Sequence, residues 1–197
     1  MHRAILLAAA CTAALTTLAG GPATASGTYQ YWDGTGEVTA FGCPNTTTYG
    51  QVITVPATKH FLNKFVFSFV NLNSGSMVLR GEVYAWDGSE ATGSALWEGV
   101  PRTVSFNDGV FHRFHFDTGV IAVTPGQQYV VFASIDKDFA QCQGDYELGW
   151  GLVTSGDKYL GGGFVYQNNG GNPGNWTTTP WNTFGGEDVA FRAELTP

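Results

Sequence analysis

The sequence predicts an all-β protein, a single-domain antiparallel β-sandwich of jelly-roll-like architecture with about ten strands. Two observations lead to this prediction. The chain contains 14 Phe, 8 Tyr and 6 Trp, which favour strands, and 27 Gly, which suit tight turns. Several segments alternate apolar and polar side chains with the period of two that a half-buried strand requires, and none shows the 3.6-residue period of a helix.

The central prediction is a strand with two unlike faces that begins at Leu79. The pair Asp87-Gly88 ends it, because this pair suits the positive-φ positions of a tight turn. A second arm, Ala95-Leu96-Trp97, leads away from the loop that follows. The two faces of the strand are Leu79, Gly81, Val83 and Ala85 on one side, and Arg80, Glu82, Tyr84 and Trp86 on the other.

The other predicted strands are short runs separated by Gly, Pro, Asn and Asp turns. The clearest is 61–70, whose alternation assigns Phe61, Phe65, Phe67 and Phe69 to one face and Leu62, Lys64, Val66 and Ser68 to the other. A long polar loop, 167–186, precedes the last strand. The remaining predicted strands are 37–41, 49–55, 103–106, 111–116, 128–135, 146–153, 164–166 and 188–195.

The N-terminus predicts export. Met1-His2-Arg3 is a short basic start, residues 4–18 are mostly Ala and Leu, and Ala23-Thr24-Ala25 is the small-x-small pattern at which a signal peptidase cuts. We therefore assign residues 1–25 to a secretory signal peptide and 26–197 to the β-sandwich domain. The apolar run is shorter than the roughly 20 residues of a membrane span. We expect a secreted, extracellular protein without a membrane span.

The charge balance argues against nucleic acid as a partner. The chain has 9 Lys+Arg and 16 Asp+Glu, a net charge of −7 at pH 7. Removal of the signal peptide takes away only Arg3, which leaves eight cations against sixteen acids, or −8. An acidic surface without a basic cluster repels phosphate backbones and anionic lipids.

Two cysteines remain after the signal peptide, Cys43 and Cys142. In an oxidising compartment they most simply form one disulfide bond. Closing so long a loop would stabilise the fold by about 4–5 kcal/mol on the chain-entropy model. A metal site is a poor alternative, because no Cys-x-x-Cys pair and no nearby His provides ligand spacing.

Short runs over residues 48–195 resemble a jelly-roll-like module of exported bacterial proteins, some of which end in a PEP-CTERM sorting tail. The runs are Tyr49-Gly50-Gln51, Thr54-Val55-Pro56, Val83-Tyr84-Ala85-Trp86-Asp87-Gly88, Ala91-Thr92-Gly93, Thr124-Pro125-Gly126-Gln127-Gln128-Tyr129-Val130, Gly161-Gly162-Gly163-Phe164-Val165-Tyr166, Asn168-Asn169-Gly170-Gly171, Trp176-Thr177-Thr178 and Phe184-Gly185-Gly186-Glu187-Asp188-Val189-Ala190-Phe191. The resemblance implies this fold but no assigned activity, so it provides no functional residues. The chain ends at Pro197 without a hydrophobic or basic tail, from which we expect release or passive retention.

Aromatic side chains beside amides are candidates for carbohydrate binding, because a sugar ring has an apolar C–H face and a rim of hydroxyls. Two candidates lie on the more polar face of the central strand, and two tryptophans flank a loop rich in Gly, Asn and Thr. The alternative is that these tryptophans pin a long loop onto the sandwich. The candidate ligand-binding residues are Tyr84, Trp86, Asn168, Asn169, Trp176 and Trp181.

Carboxylates near the strand ends are candidate ligands for a structural calcium ion, the one cofactor that the sequence suggests. Glu37 and Asp188 would meet if the first and last strands pair. No calcium-loop spacing is present, so the alternative is a set of solvated turns. Further acidic residues at predicted strand ends are Asp136, Asp138, Asp145, Glu147 and Glu187.

Two functions of different classes fit these observations. We expect a non-catalytic module, either carbohydrate-binding or structural, whose partner is an extracellular glycan or a cell-surface component. The alternative is a carbohydrate-active enzyme, a glycoside hydrolase or lyase, in which an acidic pair acts as acid and base. The nucleophile-elbow, zinc-protease, phosphate-loop and dinucleotide motifs are absent, and for this reason we favour a protein that is not an enzyme.

The signal-peptide assignment predicts where the exported protein begins. N-terminal sequencing of protein recovered from the culture medium should start at Ser26, because cleavage follows Ala25. A mature protein that retains Met1 would contradict the expected localisation.

Overall fold

The computed structural model describes residues 26–29, 32–44, 46–142, 146–154 and 159–197. The predicted signal peptide lies outside these residues. The described chain forms two antiparallel sheets that pack face to face, which confirms the predicted β-sandwich. Neither of its short 3-10 helices has the length and apolar character that crossing a membrane would require.

The first sheet has the order β1-β14-β4-β10-β13, with β2 paired to β10 and β8 paired to β4. Strand β4 is its centre, because β8 lies along one edge of β4 while β14 and β10 share the other. Its strands are β1 (Ser26–Tyr29), β2 (Glu37–Gly42), β4 (Phe61–Asn71), β8 (His112–Ala122), β10 (Glu147–Val153), β13 (Asp188–Val189) and β14 (Phe191–Thr196).

The second sheet has the order β12-β11-β3-β9-β5-β6, with β7 paired to β5. The predicted central strand with two unlike faces is β5, and its hairpin partner is β6. The strands of this sheet are β3 (Thr48–Thr54), β5 (Met77–Trp86), β6 (Ala91–Glu98), β7 (Arg102–Val104), β9 (Gln128–Ser134), β11 (Phe164–Gln167) and β12 (Asn182–Thr183). The 3-10 helices are Asp136–Gln141 and Pro173–Thr177.

The core between the sheets is largely aromatic, and Trp150 of β10 lies at its centre. Trp150 is fully buried. Its ring centroid lies 4.5 Å from that of Phe69 and 4.7 Å from that of Phe67, both on β4. It lies 5.3 Å from the ring of Tyr49 on β3. Because β3 belongs to the second sheet, Trp150 packs against both layers of the sandwich.

The predicted facing of strand β4 is wrong at its start. Leu62, expected opposite the phenylalanines, is fully buried in the same core cluster as Phe65, whereas Phe61 is 36% exposed. The pairing of β4 with β8 shifts register between Leu62 and Lys64. Such an irregularity reverses the alternation of side chains, so the period of two holds only beyond it.

The predicted disulfide bond between Cys43 and Cys142 is present, with Cα atoms 6.0 Å apart. It joins the loop after β2 to the end of the first 3-10 helix. The structure also contains a strand that the sequence did not predict: β1 pairs with β14 and places Ser26 opposite Leu195.

Truncation of Trp150 should destabilise the sandwich. We expect Trp150→Ala to lower the free energy of unfolding by about 3–5 kcal/mol, because it leaves a large cavity between the sheets. Trp150→Phe should cost less. It keeps a ring, and the indole Nε1 of Trp150 has no hydrogen-bond partner to lose. Denaturant unfolding followed by far-ultraviolet circular dichroism measures both, and an alanine variant as stable as the parent would contradict the prediction.

Candidate functional site

The outer face of the second sheet is covered by residues 168–181, which we call the crossing loop. This face is apolar where the loop packs on it. Its buried cluster contains Val52, Tyr84, Ala91, Val130, Phe132, Val165, Trp176 and Trp181. The face therefore belongs to a second, smaller core rather than to an open sheet surface.

Both tryptophans of the crossing loop point into this smaller core. Trp176 is 1% exposed and Trp181 is 6% exposed. Their ring centroids lie 5.0 Å and 5.2 Å from that of Phe132 on β9. The Trp181 Nε1 donates a hydrogen bond of 2.9 Å to the backbone oxygen of Trp176. The protein covers both rings in this geometry, as the alternative of loop-pinning tryptophans describes; sugar binding at Trp176 and Trp181 stays a prediction.

The other four candidate residues form two separate pairs, Tyr84 and Trp86 on β5 and Asn168 and Asn169 at the start of the crossing loop. Tyr84 is 8% exposed, Trp86 is half-buried and Asn168 is exposed. Asn168 follows the residue of β11 that pairs with Thr48, at one end of β3. Trp86 lies near the opposite end, because Ala85 pairs with the β9 residue that faces Ile53. Asn168 and Trp86 are therefore separated along the strand direction by six or seven residues. At about 3.3 Å per residue this is roughly 20 Å.

Asp136, which is 4% exposed, holds the crossing loop in place. Its Oδ2 accepts hydrogen bonds from Trp176 Nε1 at 2.8 Å and from Thr48 Oγ1 at 3.1 Å. The same oxygen accepts from Asn169 Nδ2, and Oδ1 accepts from the backbone N–H of Gly171 at 3.2 Å. Hydrogen bonds to a charged acceptor are among the stronger ones in proteins. One carboxylate therefore fixes both the start of the loop and its central tryptophan.

The side chain of Asn169 is also committed to the loop. Its Oδ1 accepts a hydrogen bond of 2.5 Å from Thr47 Oγ1, and its Nδ2 donates to the backbone oxygen of Asn172 at 2.9 Å as well as to Asp136. The amide therefore uses its oxygen and its nitrogen within the protein. A ligand contact at Asn169 stays a prediction, and the ligand would have to share these atoms.

Five charged residues form a network beside this anchor. Arg80 donates from Nε to Asp138 Oδ2 at 2.7 Å and from Nη2 to Asp138 Oδ1 at 3.1 Å, a bidentate pair. Arg80 also donates to Glu98 at 2.8 Å. Lys137 Nζ donates to Glu82 Oε1 at 2.9 Å and to Glu98 Oε2 at 2.6 Å. The network links β5, β6 and the first 3-10 helix.

Glu82 and Glu98, paired across β5 and β6, have shifted pKa values in opposite directions. Burial raises the pKa of Glu82 to about 7, although the hydrogen bond from Lys137 opposes this. The hydrogen bond from Lys137, together with the charges of Lys137 and Arg80, lowers the pKa of the more exposed Glu98. The difference follows from burial, since Glu82 is fully buried and Glu98 is 37% exposed.

The residues expected to hold calcium lie on different edges of β10. Glu37 is exposed on β2, which pairs along one edge, whereas Asp188 begins β13 on the other. The first and last strands of the described chain, β1 and β14, do pair, but Glu37 lies on β2, which pairs with β10 instead. Asp188 is fully buried and accepts hydrogen bonds from Gln51 Nε2 at 2.7 Å and from the Tyr159 N–H at 2.8 Å. Calcium binding stays a prediction.

Within the described ranges, no three His, Cys, Asp or Glu side chains are grouped so as to hold a metal ion. Asp136 and Asp138 are occupied by the loop anchor and by Arg80, and Asp145 lies outside the described residues. The sequence did not predict two roles: that of Asp136 as the anchor of the crossing loop and that of Glu82 as a buried acid. The sequence does contain a signal for Glu82. It lies between Arg80 and Tyr84 on one face of a strand, so any segment that packs on this face would bury its carboxylate.

Solved structures that are similar to this chain include one of the cysteine protease and lectin-like domains of Cwp84, a surface layer associated protein of Clostridium difficile. It matches with a TM-score of 0.50 and 10% sequence identity, over 77% of this chain and 32% of that one. A structure of the clostridial cysteine protease Cwp84 after propeptide cleavage matches with a TM-score of 0.57 and 11% identity, over 86% and 40%.

The chain spans less than half the length of these two proteins. At such low identities the likeness supports the fold alone. No family model and no curated protein matches the sequence.

Removal of the Asp136 carboxylate should release the crossing loop. We expect Asp136→Ala to lower the free energy of unfolding by about 3 kcal/mol, because it leaves the buried Trp176 Nε1 without this charged acceptor. Tryptophan emission should shift to longer wavelength. The control is Asp117→Ala on strand β8, where the side chain is 72% exposed and pairs with Lys64; it should change stability by less than about 0.5 kcal/mol. Equal effects of the two variants would contradict the anchor role.

Proposed function

We propose that the chain is a secreted, non-catalytic β-sandwich module that binds carbohydrate on the outer side of its second sheet, at the end where β5 turns into β6. The observation that carries the proposal is the position of Trp86. Among the aromatic candidates it alone keeps part of its side chain exposed, next to a polar turn. An aromatic face beside hydrogen-bonding groups is the surface that a sugar ring recognises.

The surroundings of Trp86 fix the orientation of its ring. The ring of Trp181 packs edge-on against it, with centroids 5.7 Å apart and planes at 89°. The backbone N–H of Trp181 donates a hydrogen bond of 2.9 Å to the Ser89 oxygen, which ties the crossing loop to the turn. Asp87 Oδ1 accepts from the N–H groups of Ser89 and Glu90, each at 2.8 Å, which stiffens the turn itself. A preorganised ring loses little entropy when a ligand stacks on it.

Four further observations support an extracellular role. The N-terminal segment has the pattern of a secretory signal. The Cys43–Cys142 disulfide is the kind of bond that persists in oxidising compartments. The similar solved structures include lectin-like domains of a surface layer associated protein. The resemblance to a module of exported bacterial proteins points the same way.

The second candidate function is enzymatic, and the acidic pair Glu82 and Glu98 favours it. Two carboxylates whose pKa values differ can act as acid and base. Two observations argue against an enzymatic function. Glu82 is fully buried, and Lys137 Nζ already bonds to both carboxylates. A substrate would have to displace this lysine. Turnover of a polysaccharide that Glu98→Gln abolishes without unfolding the protein would support this candidate over the first.

Binding to a glycan array tests the proposal. The purified protein should retain at least one oligosaccharide, and Trp86→Ala should weaken that binding ten-fold or more, since stacking on an aromatic ring contributes about 1–3 kcal/mol by analogy with nucleic-acid bases.

The matched control is Trp32→Ala. Trp32 is a half-buried tryptophan that packs against Phe111, with ring centroids 4.5 Å apart, away from the crossing loop. It should leave binding unchanged. Retention of affinity in Trp86→Ala would exclude this site, and no retained glycan would disfavour carbohydrate binding altogether.

A further inference from the structure

We propose that Glu82, Lys137 and Glu98 form a proton-sensitive latch that holds the first 3-10 helix, and with it the crossing loop, against the second sheet: protonation of Glu82 tightens the latch and ionisation loosens it. The proposal concerns the loop alone and does not require that the protein bind carbohydrate.

The contacts of Glu82 leave its charge incompletely compensated. The side chain is fully buried on β5. Oε1 accepts one hydrogen bond from Lys137, but Oε2 is buried with no hydrogen-bond partner. A buried carboxylate with an unsatisfied oxygen is costly, whereas the neutral acid carries no charge to desolvate. Proton uptake therefore stabilises the packed arrangement.

Groups from three elements face this carboxyl. Glu98 comes from β6, and Lys137 from the first 3-10 helix. Arg80 and Tyr84 are its neighbours on the same face of β5, and both the Arg80 and Lys137 charges favour the ionised form while Glu98 disfavours it. Because Lys137 keeps its 2.6 Å hydrogen bond to Glu98, the network remains paired when Glu82 is neutral.

The latch is connected to the loop through adjacent residues. Lys137 stands between Asp136, which anchors Trp176 and Asn169, and Asp138, which pairs with Arg80. The Lys137 ammonium also lies 5.3 Å from the centroid of the Trp176 ring. Movement of the 3-10 helix away from Glu82 would therefore take the anchor of the crossing loop with it.

The direction of the effect follows from linkage. Packed against the helix, Glu82 has a pKa of about 7, and once the helix lifts and water reaches the carboxyl the pKa returns toward the ordinary glutamate value of 4.5. The packed form therefore binds the proton more tightly. Its advantage is complete below about pH 4.5 and is lost as pH rises through 7. The two pKa values of Glu82 differ by about 2.5. The equilibrium between the packed and the lifted helix can therefore change with pH by at most about 300-fold.

Hydrogen–deuterium exchange of the crossing loop tests the latch. With rates corrected for the intrinsic pH dependence of amide exchange, protection of residues 171–181 should fall by ten-fold or more between pH 5 and pH 8. Glu82→Gln should abolish this dependence, because the amide has a similar shape and does not ionise between pH 5 and pH 8. Glu194→Gln on strand β14 of the first sheet, where the side chain pairs with Arg192, is the matched control and should keep the dependence, since it lies outside the latch.

Two results would overturn the proposal. One is protection in the parent protein that does not change with pH, and the other is the same pH dependence in Glu82→Gln. Carboxyl carbon NMR measures the titration of Glu82 directly in the parent protein, so it does not depend on whether a Glu82 variant folds. A Glu82 signal that titrates near pH 4.5 would also exclude the latch, whereas one that titrates near pH 7 supports it. None of these measurements involves a glycan, so their failure is separate from failure of the proposed binding function.

Discussion

Contact between Trp150 and the rings of both sheets is the interaction on which the rest of the structure depends. Trp150 packs on Phe67 and Phe69 within its own sheet and on Tyr49 of the other. Tyr49 is followed along β3 by residues that line the outer face, and it is preceded by Thr48, which bonds to Asp136. Packing at the centre therefore fixes strand β3, whose Thr48 bonds to the loop anchor Asp136. The position of the crossing loop on the outer face thus depends on the core between the sheets.

Much of the fold could be predicted because side-chain alternation is a local property. The strand from Leu79 to Trp86 shows both faces in the sequence, and the structure places them as expected. Alternation does not predict which face a side chain takes where pairing with a distant strand decides it. The shift between Leu62 and Lys64 depends on how β4 fits against β8, so nothing within β4 alone shows that Leu62 turns inward. The pairing of β1 with β14 likewise joins segments far apart in sequence.

The candidate site was less predictable, for a related physical reason. The sequence identifies Trp176 and Trp181 as unusual, but exposure depends on contacts that it does not show. Trp176 bonds to Asp136, 40 positions earlier, and packs on Phe132. A hydrogen-bonded indole against a ring is a stable buried arrangement. The same residues would suit an exposed aromatic platform. Only the contacts with Asp136 and Phe132, which are distant in sequence, distinguish the buried arrangement from the exposed one.

The pairing of β1 with β14 determines how the domain responds to mechanical load. The strands are antiparallel, so Ser26 and Leu195 lie side by side where the chain enters and leaves the first sheet. A force that separates these two points acts across the ladder and breaks its hydrogen bonds one pair at a time, rather than shearing all of them together. The outer strand would therefore peel away at low force. Beyond it, the Cys43–Cys142 bond limits how far the segment between these residues can extend.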